Sequence, residues 1–325
     1  MATKEKPVLS RGAIVVLFVS VVALLVCGLW WLSDGQLFRL FETRGQIADR
    51  QRTLIIFTTL LSLVVLLPTY FMLYVFAWRY REGHKKQYKP NWDSNKLFEF
   101  IWWAVPIIFI GILAVVTYVT SHSLDPYKPL ASAQKPIQVQ VVALNWKWLF
   151  VYPEEGVASV NEFALPLNRP VELSLTSDGP MGSFWLPELA GQVYVMSGMS
   201  TKLHIDAHKP GVYDGVNANI TGKGYADMRF RAKALDDEGY KTWLRNAGNS
   251  NQELTASALK TLRAESVKNP VRYYYFDRTQ TSAFSAVLHE YMTMNPPQSK
   301  AMYGDEKASP SDRAMEHAGH NMEGM

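Results

Sequence analysis

Phe100–Leu124, FIWWAVPIIFIGILAVVTYVTSHSL, contains no Asp, Glu, Lys or Arg and consists mainly of Ile, Val, Leu, Phe, Trp and Tyr. A hydrocarbon layer of about 30 Å is crossed by roughly 20 apolar residues of helix, so this run is long enough to span it. A buried core helix would not need so long a charge-free stretch. Towards the N-terminus, Thr53–Trp78, TLIIFTTLLSLVVLLPTYFMLYVFAW, reads the same way. Residues 45–124 are therefore expected to form a transmembrane helical hairpin, with spans over about 53–78 and 100–122.

A third apolar run, Gly12–Ser33, follows Lys4, Lys6 and Arg11. Basic segments precede both signal peptides and retained anchors, so residues 1–33 are either a cleaved signal or a first span. The sole cysteine of the chain, Cys27, lies in this run after Val26. Lipidation there would want a small residue before the cysteine, and a thiol buried in the membrane fits better. With one cysteine no intrachain disulfide forms, and the rest of the chain must be held by its own core.

Between the two spans lie Arg79, Arg81, Lys85, Lys86, Lys89 and Lys96 against Glu82, Asp93 and Glu99. The positive-inside rule places this connector on the cytoplasmic side and everything after about residue 122 outside. Arg39, Arg44, Arg50 and Arg52 then fall outside, against the rule's trend. Trp30, Trp31, Trp78, Trp92, Trp102, Trp103 and Tyr118 sit where interfacial aromatic anchors belong. Residues 1–122 carry 13 basic and 7 acidic side chains, the remainder 20 and 22. The outer half is thus mildly acidic, and nothing in it suggests nucleic-acid binding.

Beyond residue 130 the pattern changes. Ile137-Gln138-Val139-Gln140-Val141 alternates apolar and polar like a half-buried strand. Trp146–Val151, Pro170–Thr176, Ser200–Ile205, Gly211–Asp214 and Met228–Ala234 are further candidates, separated by Pro153, Asp178-Gly179-Pro180, Lys209-Pro210-Gly211 and Gly222-Lys223-Gly224. Short strands at this spacing predict an all-β sandwich over residues 130–235. Residues 236–296 read as an aromatic-rich helical extension. It has an acidic helix start at Asp236-Asp237-Glu238, a helix over Glu253–Lys268, one around Ala283–Met292, and the cluster Tyr273-Tyr274-Tyr275-Phe276. Such a cluster is core, or a docking surface if exposed. The tail 297–325 is polar and expected to be disordered, with Met315, His317, His320, Met322 and Met325 as soft groups able to capture copper.

Two membrane helices followed by an outer β-domain resemble subunit II of respiratory haem–copper oxidases. Glu99-Phe100-Ile101-Trp102-Trp103-Ala104-Val105-Pro106 is similar to that family's E-x-x-W-x-x-x-P, and Asn145-Trp146-Lys147-Trp148 to its aromatic region. Thr176-Ser177, Ser183-Phe184-Trp185-Leu186-Pro187 and Pro210–Gly215 resemble the segments around its copper ligands. The resemblance covers residues 45–235 and implies a cupredoxin-like fold.

In the cytochrome c branch of that family a binuclear copper centre is held by a histidine before Ser-Phe-Trp and by C-x-E-x-C-x-x-x-H-x-x-M. Here the first histidine position is Gly182, the cysteine positions Asn217 and Thr221, the glutamate Asn219 and the second histidine Tyr225; only Met228 remains. Bridging thiolates are required, and the chain's one cysteine is elsewhere, so a copper-bearing cytochrome c oxidase subunit is excluded. Gly182, Asn217, Thr221 and Tyr225 are expected to form a neutral hydrogen-bonded loop. His204 and His208 have no carboxylate or thiol spaced with them and read as core or surface histidines.

The resemblance therefore implies the ubiquinol-oxidase (bo-type) branch: no cofactor or metal in this chain, and haems and a copper in partner subunit I. It further implies subunits III and IV as partners, ubiquinol handled by subunit I, no cytochrome c, and a multi-pass location in the bacterial inner membrane with the sandwich outside. Glu99, at the cytoplasmic edge of the second span, matches a glutamate at the mouth of a proton-uptake path; otherwise it is a helix-start acid favoured by the dipole. The rival reading is a membrane-tethered cupredoxin-like copper carrier using the Met/His tail.

Overall fold

The computed structural model describes residues 41–80, 95–278 and 282–294, with isolated positions at Ser20, Leu24, Cys27 and Gly28. Most of the first apolar run, the connector 81–94 and the tail 297–325 lie outside the described residues. Two long helices come first, α1 (Gln46–Arg79) and α2 (Lys96–Ser123). Both are long and apolar enough to cross a membrane. Asn95 caps α2, its side chain accepting from the amides of Leu97 and Phe98.

Among the described residues, eleven strands follow in two sheets. β1 (Ile137–Leu144), β2 (Lys147–Tyr152), β3 (Val157–Val160), β5 (Val171–Ser177), β8 (Thr201–Ile205) and β11 (Arg272–Tyr275) form one, in the order β11-β3-β2-β1-β5-β8. β4 (Glu162–Pro166), β6 (Gly182–Trp185), β7 (Val193–Val195), β9 (Gly211–Asn217) and β10 (Arg229–Leu235) form the other, in the order β4-β10-β9-β6-β7. The expected sandwich is present. β3, β4, β6 and β7 were not anticipated, because each is short and they lack a clear period-two pattern.

Between the sheets lies an aromatic core. Phe184 stacks on Phe230 at 4.6 Å and Phe150 on Phe163 at 4.7 Å, and Trp148 meets Phe184 edge-on at 5.2 Å. Each such fully buried side chain contributes about 1.5–3 kcal/mol. Phe230 faces Gly215 across the β9–β10 ladder. A Cβ at Gly215 would lie 2.0 Å from the Phe230 ring, so the ring itself occupies that space.

A second core lies on the other face of the first sheet. Val142, Leu144, Leu149, Val151, Ala158 and Val160 pack there against Leu254, Leu262, Tyr274, Phe284 and Val287. These last come from the extension, whose elements are α3 (Asp237–Gly248), α4 (Ala256–Arg263), β11 and α5 (Ala283–Met294); α3 itself packs Tyr240, Trp243 and Ala247 into the first core. The extension is helical as expected, with two differences. The helix expected over Glu253–Lys268 is shorter, because the Thr255 side chain caps it and the chain turns extended at Ala264. The Tyr273–Phe276 cluster is largely a strand, pairing antiparallel with β3 through Tyr273↔Ser159 and Tyr274↔Ala158.

The sandwich holds the outer ends of both membrane helices. Arg44 N donates to Glu188 O at 2.8 Å, His208 N to Arg44 O at 2.8 Å, and Gln46 N to the Asp206 carboxylate at 2.9 Å. Asp206 thus supplies the anion at the α1 N-terminus that Gly45, without a side chain, cannot. His204 Nδ1 lies 2.9 Å from Pro126 O, just past α2. Because α1 starts and α2 ends at the sandwich, Arg79 and Lys96, the helix ends nearest the connector in sequence, lie away from the sandwich. Arg44 belongs to this joint through its backbone N–H and carbonyl. The histidines do have carboxylates: His204 Nε2 is 3.7 Å from Glu172 and His208 Nε2 3.4 Å from Asp206. The former pair forms across the β5–β8 register, Glu172↔His204, invisible to sequence spacing.

Glu162 joins extension to sandwich. Its buried carboxylate accepts from Lys233 at 2.8 Å, Tyr273 Oη at 2.5 Å and Trp243 Nε1 at 3.4 Å. Glu162→Ala strands these donors and is expected to cost roughly 2 kcal/mol, read as a lower denaturation midpoint with unchanged slope. Burial pushes the carboxyl up, but the bonds from Lys233, Tyr273 and Trp243 outweigh it and hold it below the usual range. A depressed folded pKa stabilises above the unfolded value of about 4.3 and is lost as pH falls through the folded value. The gap between wild type and Glu162→Ala should therefore narrow below about pH 4.

Candidate functional site

The loops after β5 and β9 meet at one end of the sandwich. Gly182, Asn217, Thr221 and Met228 line a cavity of about 10 Å³ there, closed by Asn145, Trp146 and Asp178. That is room for about one water. Asn217 is the hub. Its Oδ1 accepts from Ser183 N at 2.9 Å and Asn219 N at 3.3 Å; its Nδ2 donates to Thr221 Oγ1 at 3.0 Å and lies 3.4 Å from Met228 Sδ. At Gly182 a Cβ would lie 3.2 Å from Val195 and 3.5 Å from Asn217 Oδ1, so the carboxamide closes against the bare backbone.

The expected neutral network is thus present around Asn217, but not with all its expected members. Tyr225 sits in a single 3-10 turn, Tyr225–Asp227, with its side chain exposed. Asn219, not one of those expected members, joins through its backbone N, while its side chain turns outward and donates to Met181 O at 2.7 Å. Both follow the loop's course from β9, which carries Asn217 inward and its successors toward solvent. The donors in the cavity are a carboxamide, a hydroxyl and one thioether, already bonded to one another. This set does not fit a thiolate-bridged copper pair.

Three polar residues beside the cavity were missed. Lys147, in the buried strand Lys147–Tyr152, donates to Leu262 O and Ala264 O, each at 2.8 Å. Burial pushes its pKa down, with Arg272 adding to the effect. Asp178 is buried and held by the Arg263 guanidinium through Nε at 2.5 Å and Nη2 at 2.7 Å. A charged residue within an apolar run, as in Trp146-Lys147-Trp148-Leu149, was the available signal for Lys147. Asp178 and Arg263 are 85 positions apart, and no local pattern links them.

Glu99 lies in the first turn of α2, at the end away from the sandwich, and its side chain is exposed in the isolated chain. Cys27 is a free, exposed thiol at its described position.

A helical hairpin bearing a β-sandwich defines a membrane-anchored protein with an extramembranous domain. Comparison with known proteins narrows this. The chain is 39% identical over 295 residues to cytochrome bo(3) ubiquinol oxidase subunit 2 of Pseudomonas aeruginosa, covering 90% of this chain and 88% of that one. It is 40% identical to its counterpart in Pseudomonas putida, over 81% and 84% of the two chains. Ubiquinol oxidase subunit 2 of Acetobacter aceti is also 40% identical, over 77% and 81%. Among solved structures, the periplasmic domain of cytochrome oxidase subunit II of Bradyrhizobium japonicum aligns with TM-score 0.33 and 20% identity, over 35% of this chain and 96% of that one. No protein-family model matches the chain. The chain belongs to the ubiquinol oxidase subunit 2 family.

Proposed function

We propose that this chain is the anchoring and docking subunit of a proton-pumping terminal quinol oxidase, without a redox centre of its own. The carrying observation is the kinship with ubiquinol oxidase subunits across most of the chain, joined to a loop pair whose donors cannot hold bridged copper. Electrons would enter from quinol within the membrane, in a haem- and copper-bearing subunit I, with subunits III and IV completing the complex. The hairpin offers that partner an unburied apolar surface along both helices. The sandwich would cap it on the outer side of the bacterial inner membrane, the side opposite the basic connector. Purified in mild detergent, the protein should bring down a haem-containing partner and oxidise ubiquinol but not reduced cytochrome c. A protein that runs alone and haem-free would overturn the reading.

Gly182, Asn217, Asn219, Thr221, Tyr225 and Met228 are read as vacated ligand positions. Gly182→His, Asn217→Cys, Asn219→Glu, Thr221→Cys and Tyr225→His, made together, should then bind copper stoichiometrically, with intense visible thiolate-to-copper absorption. A folded variant that stays colourless with copper would count against that correspondence.

Glu99 is read as the mouth of a proton-uptake path into subunit I, since an ionisable group at the membrane edge near a partner is a natural proton collector. Glu99→Gln should slow quinol-oxidase turnover severalfold at saturating quinol, without loss of haem or of assembly. Unchanged turnover and pumping would remove the role.

A further inference from the structure

The β1–β2 turn and the loop after β5 are held by one short segment of the extension. Three consecutive carbonyls at the end of α4 are taken up by the turn. Lys147 Nζ donates to Leu262 O and Ala264 O, and Asn145 Nδ2 donates to Arg263 O at 3.0 Å. These carbonyls have no partner within the helix and carry the negative end of its dipole, so a buried ammonium suits them. The Arg263 side chain meanwhile grips Asp178 with two bonds and reaches Glu290 of α5 at 2.7 Å. Asp178 N donates to Ala143 O at 2.8 Å, and the chain then runs through Gly179 and Pro180 into Gly182.

The other cavity loop is reached through Trp146. This residue takes a φ of +59° between Asn145 and Lys147. Its indole lies against the 222–224 turn, where a Cβ on Gly224 would come within 2.4 Å of the ring. Both loops that line the cavity are thus keyed, directly or through one side chain, to residues 262–264.

We propose that the end of α4, Leu262–Ala264 with the Arg263 side chain, is a clamp that sets the positions of loops 178–182 and 217–228. It also sets those of Met181 and Ile220, which these loops present to solvent. Directional bonds to charged groups define a geometry that sliding apolar contacts do not. The clamp does not depend on whether the loops stand at former ligand positions.

Hydrogen exchange on the assembled, detergent-solubilised complex tests it. In Arg263→Ala, amides in 178–185 and 217–228 should exchange about ten- to a hundredfold faster, the scale set by losing charged hydrogen bonds. Strands β4 and β8 should keep wild-type rates. Arg263→Lys, which keeps the charge and loses the fork, should show the same loop-specific change at smaller size. Glu290→Gln, which alters only the exposed arm, should change it little. Wild-type loop rates in Arg263→Ala, or acceleration spread evenly over the sandwich, would overturn the clamp. If Arg263→Ala does not assemble, Arg263→Lys decides: loop-specific acceleration supports the clamp and wild-type rates overturn it.

Discussion

Strands β1 and β2 are covered on both faces, by the aromatic core of the sandwich on one side and by α4, α5 and Leu254 on the other. Most else in the outer domain follows from this double cover. A sheet with one face in water would show polar alternation throughout, whereas Trp148–Tyr152 is buried at every position. The extension therefore completes the fold. Without it, Val142, Leu144, Leu149 and Val151 would face solvent. Glu162 and Lys147 show how the two parts are registered. Apolar contact supplies the attraction, and a few buried, hydrogen-bonded polar groups set the relative position.

The same economy governs the joint with the membrane. The segment His204–His208 reaches both helices, through Asp206 and His208 to the start of α1 and through His204 to the exit of α2. A hairpin held at both ends by one strand terminus cannot pivot freely against the sandwich. That restraint is consistent with the proposed docking role. At the opposite end of the sandwich's chemistry, Asn217 makes four contacts from one side chain. A neutral carboxamide, able to donate and accept together, ties two loops without a metal.

The membrane spans were legible in Phe100–Leu124 and Thr53–Trp78 because lipid imposes a length and a charge rule on contiguous residues. The strands from Ile137, Trp146, Pro170, Ser200, Gly211 and Met228 were legible because alternation and turn residues are local. That two bridging thiolates cannot come from this sequence needed only a count of cysteines. The short strands β3, β4, β6 and β7 were not legible, since three to five residues carry too little periodicity. The aromatic run from Tyr273 was ambiguous for a different reason: its partner strand β3 lies more than a hundred residues earlier.

For this protein, then, the amino-acid sequence alone determined the membrane hairpin, the β-domain and the absence of a thiolate-bridged metal, all properties of neighbouring residues or of composition. Tertiary structure alone decided that the extension covers the second face of the sheet and that Arg263 meets Asp178. It also decided that His204 and Glu172 face each other, and that Tyr225 stands outside the cavity Asn217 closes. Those outcomes depend on register and on which surfaces remain to be buried once the sheets have formed. Such quantities exist only when distant segments share one core.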